Sequence, residues 1–318
     1  MTLKRVRQKS IRGALGSQTV VYMAIASLAL FLFPQVAWAT DNPTAASGIH
    51  ASGPSTGDPV EATGCAFREM GEARVKDVVD GDTLVLDDDR QVRLVGIQAP
   101  KLPLGRKGFV AWPLADKARA ELVRLSTGKR VTLYRGGAAQ DRHGRVLAQL
   151  VVSDGPDGRP VWLQAAMLRA GLARVYSFSD NRVCVDKLLA MEAVARESRA
   201  GIWADSFYAI RDAANPQALR DLVDTFQLVE GKVTKAAIVR GRLYLNFGED
   251  YRTDFTVTVP PRQVKLFSKG EWADLLADRG GEIPVVGMRL RVRGWIDSYN
   301  GPEIVVTHPE QVELLSTP

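Results

Sequence analysis

The sequence predicts a mainly β chain with interspersed helices, of the α+β class, organised as two consecutive small β domains. Three observations carry this. Between residues 73 and 152 there are five short runs rich in Val, Leu and Tyr, parted by turns that carry Gly or Asp. Three stretches with helical apolar spacing lie between and after them. Beyond residue 225 the chain returns to short β-type runs, with a single polar, helical interruption.

In chain order, residues 1–39 have the layout of a signal peptide. Lys4, Arg5, Arg7, Lys9 and Arg12 precede the uncharged apolar run Thr19–Phe33, which Pro34 ends, and Ala37-Trp38-Ala39 offers a small-x-small cleavage site. The expectation is export, periplasmic or secreted, without stable membrane association once the leader is cut. An uncleaved anchor is the rival reading; a span needs about 20 apolar residues, and this run is shorter. Residues 40–71, rich in Gly, Pro, Ser, Thr and Ala, read as a flexible linker.

The formal charge of +6 is mostly this leader, which holds five cations and no acid. The rest of the chain is near neutral, and only the stretch Glu72–Trp203 is basic. That balance permits a polyanion partner without arguing strongly for one. Two cysteines, Cys65 and Cys184, suit one disulfide in an oxidising compartment; the other reading is two unrelated thiols. His50, His143 and His308 are scattered, and no Cys-x-x-Cys occurs, which leaves a zinc site without support.

Ala73–Val79, Thr83–Asp87 and Gln91–Ile97 read as strands; Gly81 bends the first turn, and Asp87-Asp88-Asp89 forms a solvated hairpin tip. A Gly/Pro-punctuated loop over 101–113 leads to a helix at Ala115–Leu125. Strands follow at Arg130–Tyr134 and Val146–Val152, then helices at Trp162–Ala170 and Asn181–Arg199, with Ile202-Trp203 packing back. Residues 206–225 read as a connector. Strands at Gln227–Val233, Arg242–Phe247, Phe255–Val259, Arg289–Asp297 and Glu303–Thr307, a helical stretch at Pro261–Ala277 and a tail strand at Gln311–Leu315 fit a small Greek-key barrel of the OB type over 226–318.

Three motifs stand together in the first domain: Asp80-Gly-Asp82-Thr83, Arg93-Leu-Val-Gly-Ile-Gln98-Ala-Pro-Lys101 and Asp141-Arg-His-Gly-Arg145. Gly171-Leu-Ala-Arg-Val and Gly201-Ile-Trp follow. On these residues the chain, over about 72–205, resembles the staphylococcal nuclease (thermonuclease) family. The resemblance implies an SNase-like OB-fold, a five-stranded barrel with three helices, that hydrolyses DNA and RNA phosphodiesters with Ca2+. It implies Asp82 as a metal ligand, flanked by Asp80 and Thr83, and Arg93 and Arg145 as the phosphate-gripping pair. Two guanidiniums suit the charge that gathers on a phosphoryl transition state.

Two positions depart from that pattern. Gln98 stands where a second acidic metal ligand belongs, and Lys101 where the catalytic Glu belongs. The expectation is weak or absent Ca2+ binding and doubtful hydrolysis. Three readings stay open: a degenerate domain that binds nucleic acid or another phosphate polyanion through Arg93, Arg145 and Lys101, with Asp82 paired to Lys101; an active nuclease using a neutral Lys101 as base; and a non-catalytic scaffold for structure or protein contact. Arg106 and Lys107 are further candidates for backbone contacts. His143 reads as an exposed turn residue. The second barrel offers Tyr244, Phe247, Tyr251, Phe255, Trp295 and Tyr299, with Arg240, Arg242, Arg291 and Arg293 nearby. Alternation sends about half of the aromatics inward, so packing or protein contact stands ahead of nucleic-acid binding there.

Overall fold

The structure, a computed structural model, describes residues 64–155 and 157–315, all within one compact unit spanning 53–318. The expected leader, most of the expected linker and His50 lie outside the described residues.

The first barrel is built from β1 (Arg68–Asp80), β2 (Thr83–Leu86), β3 (Gln91–Leu94), β4 (Gly96–Gln98), α1 (Ala115–Ser126), β5 (Arg130–Arg135) and β6 (Val146–Val152). β7 (Val161–Trp162), α2 (Leu163–Arg169), β8 (Arg174–Tyr176) and α3 (Val185–Glu197) follow. The strands run β3-β2-β1-β5-β6, and a parallel pairing of β3 with β6, from Val92↔Val146 to Leu94↔Ala148, closes the ring. Leu84, Leu86, Val92, Leu94, Leu133 and Leu150 fill its interior, under α1 and α2. Each such fully buried side chain contributes roughly 1.5–3 kcal/mol. Cys65 and Cys184 are joined as a disulfide with Cα atoms 5.7 Å apart, tying the entry of β1 to the start of α3.

The second barrel contains β9 (Arg211–Asp212), α4 (Pro216–Arg220), β10 (Phe226–Lys232), β11 (Lys235–Val239), β12 (Arg242–Asn246) and β13 (Thr256–Val259). It continues with α5 (Pro261–Val264), α6 (Glu271–Leu275), β14 (Arg289–Tyr299), β15 (Gly301–Val305) and β16 (Val312–Leu315). β10 and β11 are nearly one strand, parted only by Val233-Thr234. One end pairs with β14 and the other with β12, so the sheet closes in the order β11-β12-β13-β15-β14-β10, again with a parallel pair, β13–β15. Both barrels therefore share one topology, with helix inserted between the third and fourth strands, although no sequence repeat links them.

The structure corrects several boundaries. The expected linker ends early, because β1 already pairs at Arg68 with Arg135. The strand expected over 91–97 breaks at Gly96 (φ 91°) into β3 and β4. The third helix starts at Val185, since Asn181 holds the preceding turn by donating to the Ala138 carbonyl. Within the expected connector, β9 adds to β10 in parallel, and buried Tyr208 donates its hydroxyl to the Pro113 carbonyl at 2.7 Å. The helical stretch at 261–277 is two short helices broken at Gly270.

A polar seam joins the barrels. Arg293 of β14 is buried and donates to both carboxylate oxygens of Glu192 on α3, at 3.0 and 2.9 Å, and to the Val175 carbonyl; it also pairs with Glu313. Arg182 forks onto Glu310, each of two bonds at 2.8 Å. Buried His308 shares a hydrogen bond of 2.7 Å with Ser177 and one of 2.9 Å with Thr307. Burial pushes His308 down to about 4, with Glu310 offsetting part of this. The unfolded chain then takes up a proton between about pH 6.5 and 4 that the folded chain refuses, so this stability is complete above the ordinary value and declines as the pH falls. Urea unfolding is expected to lose about 3 kcal/mol from this residue between pH 7 and pH 4. His308→Gln should shrink the pH step by that amount; an unchanged step would show that the carboxylates alone set it.

Candidate functional site

The site begins at the turn between β1 and β2. Gly81 is required there, since a Cβ would lie 2.6 Å from that of Ala99 and 2.8 Å from that of Ala118. Its tightness packs Asp80 and Asp82 side by side under α1, with the Asp82 amide donating to Asp80 Oδ1 at 3.1 Å. β3 pairs Arg93 directly with Thr83. The kink at Gly96 turns the chain back, so that residues 98–101 lie over the same turn. The Ala99 amide donates to Asp82 Oδ2 at 2.7 Å.

Lys101 completes the cluster. Its Nζ is 2.7 and 2.6 Å from the two oxygens of the wholly buried Asp82 and 3.4 Å from Asp80 Oδ2. Arg93 Nη1 lies 3.2 Å from Asp82 Oδ1, and its guanidinium also donates to the Leu94 and Ile97 carbonyls at 2.8 and 2.6 Å. Burial alone would raise the Asp82 carboxyl, but Arg93 and Lys101 outweigh it and hold it well below the usual carboxylate range. Asp80 is pushed up, by burial and then by repulsion from Asp82, with Lys101 only partly offsetting this.

These residues do not fit a divalent cation. The Lys101 ammonium already bridges the two carboxylates that would hold one. The Gln98 amide oxygen points away, accepting from Arg174 at 3.1 and 2.8 Å. Among the described residues, no group of three or more His, Cys, Asp and Glu side chains stands in metal-binding geometry. Arg174 is itself buried, which lowers it to about 10; it remains a cation at neutral pH, packed 4.6 Å over the Phe226 ring of the second barrel.

Beside this cluster opens a cleft of about 600 Å3. Its lining combines charged residues, among them Arg93, Asp141, Arg142, Arg145 and Asp180, with the rings of Tyr176, Phe178 and Trp295. Arg145 is bound to Asp141 at 2.6 Å, and Asp141 also accepts from the His143 and Arg145 amides. Although partly buried, Asp141 is held low by the Arg145 side chain and those amides. Trp295 donates from Nε1 to the Tyr176 hydroxyl at 3.0 Å, so the second barrel supplies part of the wall.

The structure thus brings together Asp80, Asp82, Thr83, Arg93 and Lys101, and sets Arg145 with Arg93 along the cleft. Exposed His143 lines the cleft too. It does not bring in Arg106 and Lys107. Arg106 folds onto its own loop, donating to the Leu102 and Pro103 carbonyls and covering Phe109 at 3.7 Å, and neither residue lines the cleft. Across the cluster and the cleft acids and bases balance: Asp80, Asp82, Asp141 and Asp180 stand against Lys101, Arg93, Arg142 and Arg145. Arg291 and Arg293, grouped by sequence with the second barrel's aromatics, are consumed by Glu230, Glu192 and Glu313. Phe247 and Phe255 are core. Tyr176, Phe178 and Arg174 were missed as site residues; the alternation in Val175-Tyr-Ser-Phe178 is the signal that could have found the first two.

A closed five-stranded barrel with three helices and a carboxylate–arginine cluster at one end defines a nuclease-like class of domain. Residues 91–205 match the family described as staphylococcal nuclease homologue. An uncharacterized endonuclease of Escherichia coli is 32% identical over 137 residues, covering 42% of this chain and 77% of that protein. The probable endonuclease lcl3 of Pyrenophora tritici-repentis is 35% identical over 116 residues, covering 36% of this chain and only 41% of its own length. The thermonuclease of Staphylococcus intermedius is 27% identical over 135 residues, covering 41% of this chain and 74% of that protein. The chain belongs to the staphylococcal nuclease homologue family.

Proposed function

We propose that this protein is an exported member of the family that binds single-stranded nucleic acid in the cleft between Arg145 and Trp295, without calcium and without cutting it. The observation that carries this reading is Lys101, whose ammonium lies within 2.7 Å of both Asp82 oxygens. A tethered cation satisfies the buried carboxylate and fixes the turn, as an exchangeable ion would, but it cannot bridge to a substrate oxygen with open coordination positions. The same contacts disfavour Lys101 as the base, because its Nζ is held against Asp82 and Asp80 and does not line the cleft. Of the two acids that line the cleft, Asp141 is committed to Arg145 and to two backbone amides, and the other is the exposed Asp180.

The binding chemistry that remains is electrostatic and stacking. Arg145, whose side chain stays about a third exposed beside Asp141, can meet a phosphate, while Arg93 is held by Asp82 and backbone carbonyls and adds its charge from behind. Tyr176, Phe178 and Trp295 present ring surface to bases, a combination suited to single strands. Anisotropy of a labelled oligothymidine with the full chain is expected to give the same affinity in calcium and in chelator. Arg145→Ala should weaken it by about tenfold, the scale of a lost charge-assisted hydrogen bond. No binding at low salt, or binding indifferent to Arg145→Ala, would remove this reading and leave the scaffold role.

A further inference from the structure

A second cleft, of about 550 Å3, opens on the outer face of β11, β12 and β13, beneath the β14–β15 turn. It lies on the second barrel, beyond the residues that match the nuclease family. Tyr244, Tyr251 and Tyr299 surround it. Tyr299 is 73% exposed at the tip of the turn, where Asn300 takes a left-handed conformation (φ 63°). Between the rings stand Asn246, Thr256, Asn300 and, on the floor, Glu303. Small closed barrels of this topology use this face, their second and third strands with the turn between the fourth and fifth, to bind oligonucleotides and oligosaccharides.

We propose that this cleft binds an uncharged oligosaccharide. Charge separates the two ligand classes. The cleft lining holds no Lys or Arg, and Glu303, nearly buried, places a carboxylate on the floor. Of the nearby cations, Lys235 meets Glu249 at 3.1 Å and Arg252 meets Asp250 at 3.6 Å while covering one face of Tyr251. Arg242 donates to the Thr258 hydroxyl at 3.3 Å, and that hydroxyl in turn donates to Glu303, so the one cation without its own carboxylate stands behind the anion of the floor. A phosphate chain entering here would face a buried anion without a compensating funnel of positive charge.

A sugar chain meets the opposite situation. Tyrosine rings offer flat apolar surface with a polar tip, suited to the C–H faces of pyranose rings. Asn side chains both donate and accept, and carboxylates accept, which matches the mixed demands of hydroxyl groups. Glu303 accepts from Thr258 through Oε1, and no hydrogen bond among the described residues uses its Oε2. Asn246 Oδ1 accepts from Thr256 at 3.2 Å, leaving its amide donors for a ligand.

The test is calorimetric titration of the full chain, in chelator, with chitopentaose and with cellopentaose, alongside oligothymidine. Saturable binding of at least one sugar is expected, weakened about tenfold by Tyr299→Ala and untouched by Arg145→Ala. Tyr299 is exposed, so its removal leaves the barrel intact, and far-UV circular dichroism checks this. The proposal is overturned if neither sugar binds, or if sugar binding ignores Tyr299→Ala. It is also overturned if Tyr299→Ala weakens oligothymidine while neither sugar binds, which would reassign the cleft to single-stranded nucleic acid. Its failure leaves the reading of the Arg145 cleft unchanged, because that reading is tested by Arg145→Ala.

Discussion

Asp82→Ala is expected to cost about 3–5 kcal/mol of unfolding free energy, read as a fall in the urea midpoint at unchanged slope. Asp82 is the hub of the first barrel's open end. It accepts from Lys101, from the Ala99 amide and from the Thr83 hydroxyl, and it balances Arg93. Its removal leaves Lys101 with only Asp80, at 3.4 Å, and strands a half-buried cation beside Arg93. Asp82 is held low, so its contribution is present above the ordinary carboxylate range and is lost progressively as the pH falls from that range through its depressed value. Lys101→Met should also destabilise, because it leaves two adjacent acids without their bridge. A loss below about 1 kcal/mol in Asp82→Ala would mean that the cluster is a surface pairing with little energetic weight.

The second large effect is expected at the seam. Arg293→Met should lose about 3–5 kcal/mol by the same unfolding measurement. Arg293 is wholly buried, and Glu192 and Glu313 both depend on it. Glu313, held low against its burial chiefly by Arg293 and Arg291, would lose the larger of its cationic partners. Glu192 would keep Arg196 at 3.0 Å and the Val175 amide, so its loss is partial. Glu192→Leu combined with Arg293→Met should recover part of the deficit, since an apolar pair of similar volume removes the stranded charge. A double variant no better than the single one would contradict the seam as the cause. The same variant should disturb Trp295, two residues along β14, and so weaken oligothymidine binding without touching Arg145.

The barrels were legible because their strands alternate or run apolar, and because Gly and Asp punctuate them. β6 reads directly from Val146 to Val152 since every position is buried. β11 escaped because its inward position is only Ala236, and Lys235, Ile238 and Val239 lie exposed on the sheet edge. The break at Gly96 was hidden inside an apolar run, although it returns Lys101 to Asp82. Residue types alone suggested that pairing, since a lysine in place of an acid reverses the charge beside an aspartate. They could not show that Gln98 faces Arg174, which lies 76 positions away, or that Arg293 reaches across to Glu192, 101 positions away. The first depends on β8 pairing with β4 inside the first barrel, which sets Arg174 opposite Gln98, and the second on how the two barrels dock; neither local pattern nor composition records either.

On the proposed reading, the Lys101 ammonium stands in for an exchangeable cation, and the cleft holds nucleic acid without cutting it. The most direct measurement incubates the purified full chain with labelled single-stranded DNA and RNA, with calcium and with chelator, and follows fragment length by gel. Intact strands are expected under both conditions, with binding equal in the two. Calcium-dependent cleavage by the unmodified chain would contradict that reading.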